Sequence, residues 1–467
     1  MTCVSLLAIV LFCWTRLRAK RGAVVPERLR NFVPPAALVY ACASALVPLM
    51  LVQAWVLIVQ VRVENGPPLT EAHKYLPIPV FDGRSFRPGI HAWYSYIAFF
   101  TGLCETACVA IVAVAVRRNV GHVLVPVLAS ATAGMLAIGL LCPAMSTTDP
   151  YEFAATSILG FASYAPPHGA FDGTAYAPIA RAVPLYGVIY GPLWVVFDTL
   201  ELGFVPTIIG KLIVLRLVNV GLLGLLAYLL QRVKVSHATI AALVGNPAVW
   251  YYVVLNPHAE IEGLVLIAAA LLAAQRSRSW PAMVFVAAAG AVKITFLVVA
   301  AAALMPIPDA RRRVLLWMCA AALAVGSSLL VPHNAYVGDA ARYVAGSRFL
   351  TQGTVSGQWM LVAALAGLAM AALLLTGRRV STGAWLFGQL APLAAPWYLL
   401  WGLPYALVTG TATALLVSLP VATAALDLDF NVSPLPEIFL MLCIAGYVIE
   451  VVRTLSAPAP ERLAKLH

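Results

Sequence analysis

The chain has 467 residues, of which 62% are hydrophobic and only 10% charged, with a formal net charge of +11. Soluble domains carry roughly 25% charged residues, so composition excludes a water-soluble globular enzyme. Helices satisfy every backbone group internally in lipid, so we expect an all-α polytopic membrane protein. The Lys and Arg fall in short clusters between apolar stretches, as in cytoplasmic loops. That pattern speaks against a nucleic-acid surface.

A crossing needs about 20 mainly apolar residues. By that measure the chain reads as a bundle of about 11–13 transmembrane helices with two larger external loops. Met1 to Trp14 is apolar and is followed by Arg16, Arg18, Lys20, Arg21, Arg28 and Arg30. A signal peptide has its charges before the apolar run, so this order predicts a retained first span with its N-terminus outside. Spans are expected at Val33 to Val61 and His91 to Val116, with an external loop carrying Lys74, Asp82, Arg84 and Arg87 between them. Arg117 and Arg118 return the chain to the inside, and Gly121 to Pro143 leads out to Asp149.

Ile208 to Leu230 goes in, Ala238 to Leu255 out, and Ile261 to Ala274 in again. The stretch Met283 to Met305 contains Lys293 at its middle. One continuous span would put Arg311, Arg312 and Arg313 outside, against the positive-inside rule. It would also place a Lys at mid-membrane, at about 2.5–3.5 kcal/mol. Two half-depth helices breaking near Lys293 avoid both problems. Leu315 to Val331 then leads to a second external loop, and further spans are expected between Met360 and Val452. The simplest division is an N-terminal extension (1–120), a core with external loops 144–205 and 332–358 (121–358), and a C-terminal helical set with a short tail (359–467).

Several residues carry chemistry, each with a structural alternative. Asp149-Pro150-Tyr151-Glu152 stands at a membrane edge in a chain with only 19 acidic residues. Ionisable groups there are functional candidates because burying them is costly. Asp at N-cap, Pro at N1 and Glu at N3 also resembles a capping box. Tyr186 to Trp194 (YGVIYGPLW) includes Tyr190 and Trp194, which suit either a binding site or an interfacial aromatic belt. Asn256-Pro257-His258 breaks a span, and His258, Glu260 and Glu262 follow within five residues. His258 and Glu262 share a helix face, but no third ligand is spaced for zinc, and no metal is expected. Lys293 suits phosphate or simple snorkelling. Arg342, in the second external loop, can fork two phosphate oxygens. Trp397 and Tyr398 in PWYLLWGLP suit a lipid groove or a belt. The eight cysteines lie in apolar stretches without a CxxC pair, so neither disulfides nor zinc are expected. P-loop, GxGxxG, GxSxG and HExxH patterns are absent.

The order Asp149 with Tyr151, YGPLW, Arg216, His258 with Glu260, AGAVKITFLV around Lys293, then PWYLLW resembles the GT-C membrane glycosyltransferases that use polyprenyl-phosphate sugars. It looks most like the polyprenol-phosphate-mannose α-1,6-mannosyltransferases of bacterial cell envelopes, over about Gly121 to Pro404. The resemblance implies a GT-C-like bundle in a bacterial plasma membrane with its active site on the external face. It implies transfer of a hexose, mannose first, from a polyprenyl-phosphate donor to a lipid-linked or envelope glycan acceptor, with no cofactor. Asp149 would be the base, helped by Glu152. Lys293 and Arg342 would hold the phosphate, and Tyr151, Tyr190, Trp194, His258, Glu260, Trp397 and Tyr398 would line the substrate path. The rival expectation is a transporter or flippase for a lipid-linked sugar.

Overall fold

The structure is a computed structural model. It describes residues 33–65, 90–118, 121–141, 149–167, 169–174, 190–331, 355–378, 380–394, 396–425 and 435–456. The expected first span, the loop containing Lys74, and Arg342 with most of the second external loop lie outside the described residues.

Among the described residues the chain is helical throughout, without a strand. In chain order the first helices are α1 (Ala36–Asn65), α2 (Ile90–Arg117), α3 (Gly121–Leu141), α4 (Asp149–Leu159), α5 (Pro192–Leu202) and α6 (Ile208–Arg232). The middle of the chain forms α7 (His237–Val244), α8 (Pro247–Leu255), α9 (Glu260–Gln275), α10 (Ser279–Val292), α11 (Phe296–Ala300) and α12 (Ala310–Gly326). The last are α13 (Val355–Leu375), α14 (Ser381–Ala394), α15 (Leu403–Thr409), α16 (Ala412–Ala424) and α17 (Leu435–Ser456).

Four described helices are long and apolar enough to cross a membrane, or five if the bent pair α7 and α8 is one span. The coarse expectation, an all-helical chain with several apolar helices, is met among the described residues. Several other apolar segments, such as Ser279–Val292 and Ala412–Ala424, run only 10–17 residues, short of a full crossing.

The breaks have local causes. Asn246 accepts the Ala248 N–H at 3.1 Å and donates to the Leu416 carbonyl at 2.6 Å. Pro247 at the first helical position cannot extend α7, and α8 leaves at 51° to it. The last six residues of α8, Trp250–Leu255, are π-helical, a form that concentrates at functional sites. Lys293 is extended (φ −154°, ψ 123°) and ends α10. The 3-10 turn Ala301–Leu304 after α11 packs back on α10. In one continuous helix Ala301 would lie about 13 Å beyond Val292, so the chain folds back at Lys293.

α9 sits at the centre, packed between α6 and α10, which is why it is apolar on all sides. Lipid tails are as apolar as leucine, so helix contacts in such a protein depend on close approach and buried hydrogen bonds. Both occur. A Cβ on Gly263 of α9 would lie 2.2 Å from the Phe296 ring, and one on Gly402 would lie 2.4 Å from the Gly388 Cα. Tyr405 donates to the Val298 carbonyl at 2.6 Å, and Asn219 donates to the Val253 carbonyl at 2.7 Å.

Candidate active site

Four interruptions meet at one end of the bundle: the start of α4, the Tyr190-Gly191 turn, the gap between α8 and α9, and the Lys293 reversal. The Gly191 N–H donates to the Val292 carbonyl at 2.7 Å, and Tyr164 donates to the Tyr190 carbonyl at 2.8 Å. These bonds fix the Tyr190 turn over the Lys293 break. Arg216 of α6 donates to the Leu140 and Leu255 carbonyls, each at 3.0 Å. It thereby closes the orphan carbonyl ends of α3 and α8.

Asp149 is the first helical residue of α4 rather than the N-cap expected of the Asp-Pro pair, and its side chain is 22% exposed. The Tyr190 hydroxyl donates to Asp149 Oδ2 at 3.4 Å, and His258 Nε2 approaches the same oxygen at 3.3 Å. His258 Nδ1 lies 2.6 Å from the Asn256 carbonyl. A carbonyl only accepts, so Nδ1 carries the proton and Nε2 is turned to Asp149. The Nε2 contact is not an aligned hydrogen bond. Burial, then the Asp149 charge, push the Tyr190 phenol well above its usual range. Tyr190 therefore remains a donor. Phe153 packs edge-on against Tyr190 and Trp194, with centroids at 5.3 and 4.8 Å, and holds the tyrosine in place.

Lys293 and Glu260 form the second half of the site. The Lys293 ammonium donates to Glu260 Oε1 at 2.6 Å, with both side chains buried. It also lies 4.7 Å from the Tyr398 ring centre, 5.2 Å from Tyr190 and 5.6 Å from Trp401. Tyr398 and Trp401 are stacked at 3.9 Å. Desolvated cation–π contacts give about 2 kcal/mol each, while a buried ion loses several kcal/mol of hydration. Three such contacts offset much of that loss, and the Glu260 carboxylate adds the opposite charge. The bundle thus gives Lys293 a carboxylate partner, where an isolated phosphate-seeking or snorkelling lysine was expected. Glu260 Oε2 makes no hydrogen bond among the described residues.

The structure therefore gathers Asp149, Tyr190, His258, Glu260, Lys293 and Tyr398, with Trp194 behind Tyr190. Tyr151 is elsewhere, in a separate apolar cluster with Phe171, Ile208 and Leu212. Glu152 is half-buried in the first turn of α4. Trp397 lies in the 3-10 turn Pro396–Leu400, and its side chain, like all of Arg342, is outside the described residues.

Sequence reasoning missed Trp401, although Tyr398 and Trp401 are three apart in one helical turn. It also missed the clamp behind the site. Lys211 donates to Ser157 Oγ and to the Leu202 carbonyl, each at 2.6 Å, and Thr156 donates to Asp198 at 3.4 Å. This ties α4 and α5 to α6. Lys211, Arg216 and Asn219 in one apolar helix were the signal, since polar groups in such helices turn inward. Among the described residues no group of three or more His, Cys, Asp or Glu could hold a metal ion. Comparison of the chain with protein-family models, curated proteins and solved structures finds no match.

Proposed function

We propose that this protein is an integral-membrane glycosyltransferase of the GT-C type. It moves a hexose, mannose first, from a polyprenyl-phosphate donor to a lipid-linked or cell-envelope glycan acceptor. The observation that carries the reading is the Asp149 carboxylate: the partly exposed acid of an otherwise buried cluster, held by Tyr190 and facing His258. A general base needs access to its substrate and a fixed direction, and Asp149 has both.

In the proposed reaction the acceptor hydroxyl oxygen attacks the anomeric carbon and its proton passes to Asp149. The bond from the anomeric carbon to the phosphate oxygen breaks, and the electron pair leaves with the phosphate. One displacement inverts the configuration, whereas retention by double displacement uses a carboxylate nucleophile. Lys293 would stabilise the leaving phosphate. Because Glu260 already occupies it, the phosphate must displace that carboxylate, and the partnerless Oε2 marks a side chain with room to change partners. Tyr398, Trp401 and Trp194 would flank the path of the sugar or lipid.

The site end of the bundle would face the exterior of a bacterial plasma membrane, with Arg232, Lys234, Arg276 and Arg278 on the inner side, as the positive-inside rule requires. The test incubates purified protein with radiolabelled polyprenyl-phosphate mannose and a glycan acceptor, without ATP. Label appearing in the acceptor supports the enzyme. Donor binding or translocation across a vesicle without transfer would replace it with a transporter.

A further inference from the structure

The end of the molecule opposite the candidate site holds a polar feature that glycosyl transfer leaves unused. α6 and α9 pack side by side. Beside their last turns lies an open recess of about 820 Å³, lined among others by Tyr228, Gln231, Arg232, Lys234, Gln275 and Arg276. α9 has 16 residues, so this recess lies about 24 Å along the bundle from Glu260.

Both helices end in the same backbone motif. After α6, Val235 N–H donates to the Leu230 carbonyl and Lys234 N–H to the Gln231 carbonyl, each at 3.0 Å. After α9, Arg278 N–H donates to the Ala273 carbonyl at 2.9 Å and Ser277 N–H to the Ala274 carbonyl at 3.0 Å. The residue that follows the helix in this motif is left-handed and is usually glycine. Here the positions are held by Lys234 (φ 62°) and Ser277 (φ 59°), the only non-glycine residues with positive φ among those described. A Cβ is disfavoured in that conformation, so local backbone preference does not account for Lys234.

The cations are not needed as helix caps either, since the backbone motifs already satisfy these carbonyls. Arg232, Lys234 and Arg276 take part in none of the ion pairs among the described residues. Three like charges around one recess repel one another, and an anion between them relieves the repulsion. The apolar approach is also present. Leu225, Tyr228 and Arg232 follow at i, i+3 and i+7 on one face of α6. Leu225 and Tyr228 are 42% and 53% exposed, and Arg232 lies 5.9 Å from the Tyr228 ring centre. This stripe leads from a surface suited to an acyl chain directly to the charges.

We propose that this recess binds the phosphate headgroup of an anionic membrane lipid. The recess supplies cations for the phosphate and the Leu225-Tyr228 face packs against the lipid tail. Basic pockets between membrane helices take anionic headgroups by this chemistry. The site is separate from the proposed transfer reaction, and its test does not depend on sugar transfer.

The experiment uses the full chain in detergent micelles. Native mass spectrometry and melting temperature are read with added phosphatidylglycerol, phosphatidylcholine or inorganic phosphate. Wild type should retain phosphatidylglycerol over phosphatidylcholine and melt higher with it, and millimolar inorganic phosphate should not reproduce the effect. Each cation removed should weaken phosphatidylglycerol binding about fivefold, from about 1 kcal/mol per basic residue near a lipid surface. The variant Arg232→Gln, Lys234→Gly, Arg276→Gln should lose the preference. Lys234→Gly alone guards against misfolding, because glycine suits the left-handed position. It should melt no lower than wild type without lipid, yet bind phosphatidylglycerol about fivefold more weakly. An unchanged lipid preference in either variant overturns the proposal, and so does full competition by inorganic phosphate, which would make this a soluble-anion site.

Discussion

At the residue scale, Asp149 and the Lys293-Glu260 pair call for different tests. Asn matches Asp in size and the Asp149 side chain is partly exposed, so Asp149→Asn should express and bind donor normally. Turnover should fall roughly 10²–10⁴-fold, the usual loss with a general base. Glu152→Gln should be milder, because Glu152 is half-buried beside the cluster rather than held on Tyr190 and His258. Wild-type transfer by Asp149→Asn, measured with radiolabelled donor, would move the base to another carboxylate. Lys293→Ala does not give so clean a result. It leaves Glu260 buried without its cation, and breaking such a pair from one side costs about 3–5 kcal/mol. Lys293→Met combined with Glu260→Gln should melt higher than Lys293→Ala and still fail to use donor. If the double variant keeps transfer activity, the pair serves only the fold.

At the element scale, α5 and the Pro396–Leu400 turn position the site. α5 has 11 residues, too few to cross a membrane. Burial pushes Glu201 at its C-terminal end up to about 7 from 4.5. Asp198 one turn earlier is raised well above its usual range by burial and then by the Glu201 charge, against the opposing pull of Lys211. A carboxyl raised in the folded state holds its proton more tightly than in the unfolded chain. Its contribution is therefore full below the ordinary value of 4.5 and is lost as pH rises through about 7. Glu201→Gln should flatten the fall in melting temperature across that window. An unaltered pH profile would mean that Glu201 is solvated.

Gly402 follows Trp401 and meets backbone, with the Gly388 Cα and N at 2.4 and 2.9 Å from the added Cβ. Backbone cannot swing aside as a side chain does, so Gly402→Ala should cost about 1–3 kcal/mol. It should also loosen Tyr398 and Trp401 around Lys293. A melting temperature equal to wild type would show that α14 and α15 can separate without loss.

At the scale of the whole molecule, the proposed orientation puts the α4–α5 region outside and the α9–α10 turn inside. In a background without native cysteines, Thr174→Cys should react with an impermeant thiol reagent on intact cells. Ser277→Cys should react only after permeabilisation. Both positions are exposed, whereas Ser163, in the same outer segment as Thr174, is buried and would not report. The reverse pattern would place Asp149 on the inner side and end the external-donor reading.

The sequence by itself determined the helical class, because an apolar chain with few charges has one way to pair its backbone. It also determined where some helices stop: Asn256-Pro257 separates α8 from α9, and Lys293 disfavours the middle of a span. Asp149, His258, Glu260 and Lys293 were legible as candidates because ionisable groups are rare in such a chain. Their pairing was not legible. Lys293 meets Glu260 across 33 positions and Tyr190 meets Asp149 across 41, and helical periodicity reports neighbours only three or four residues apart. Tyr151 shows the same limit: one residue from Pro150 in the motif, it faces another cluster because α6 packs there.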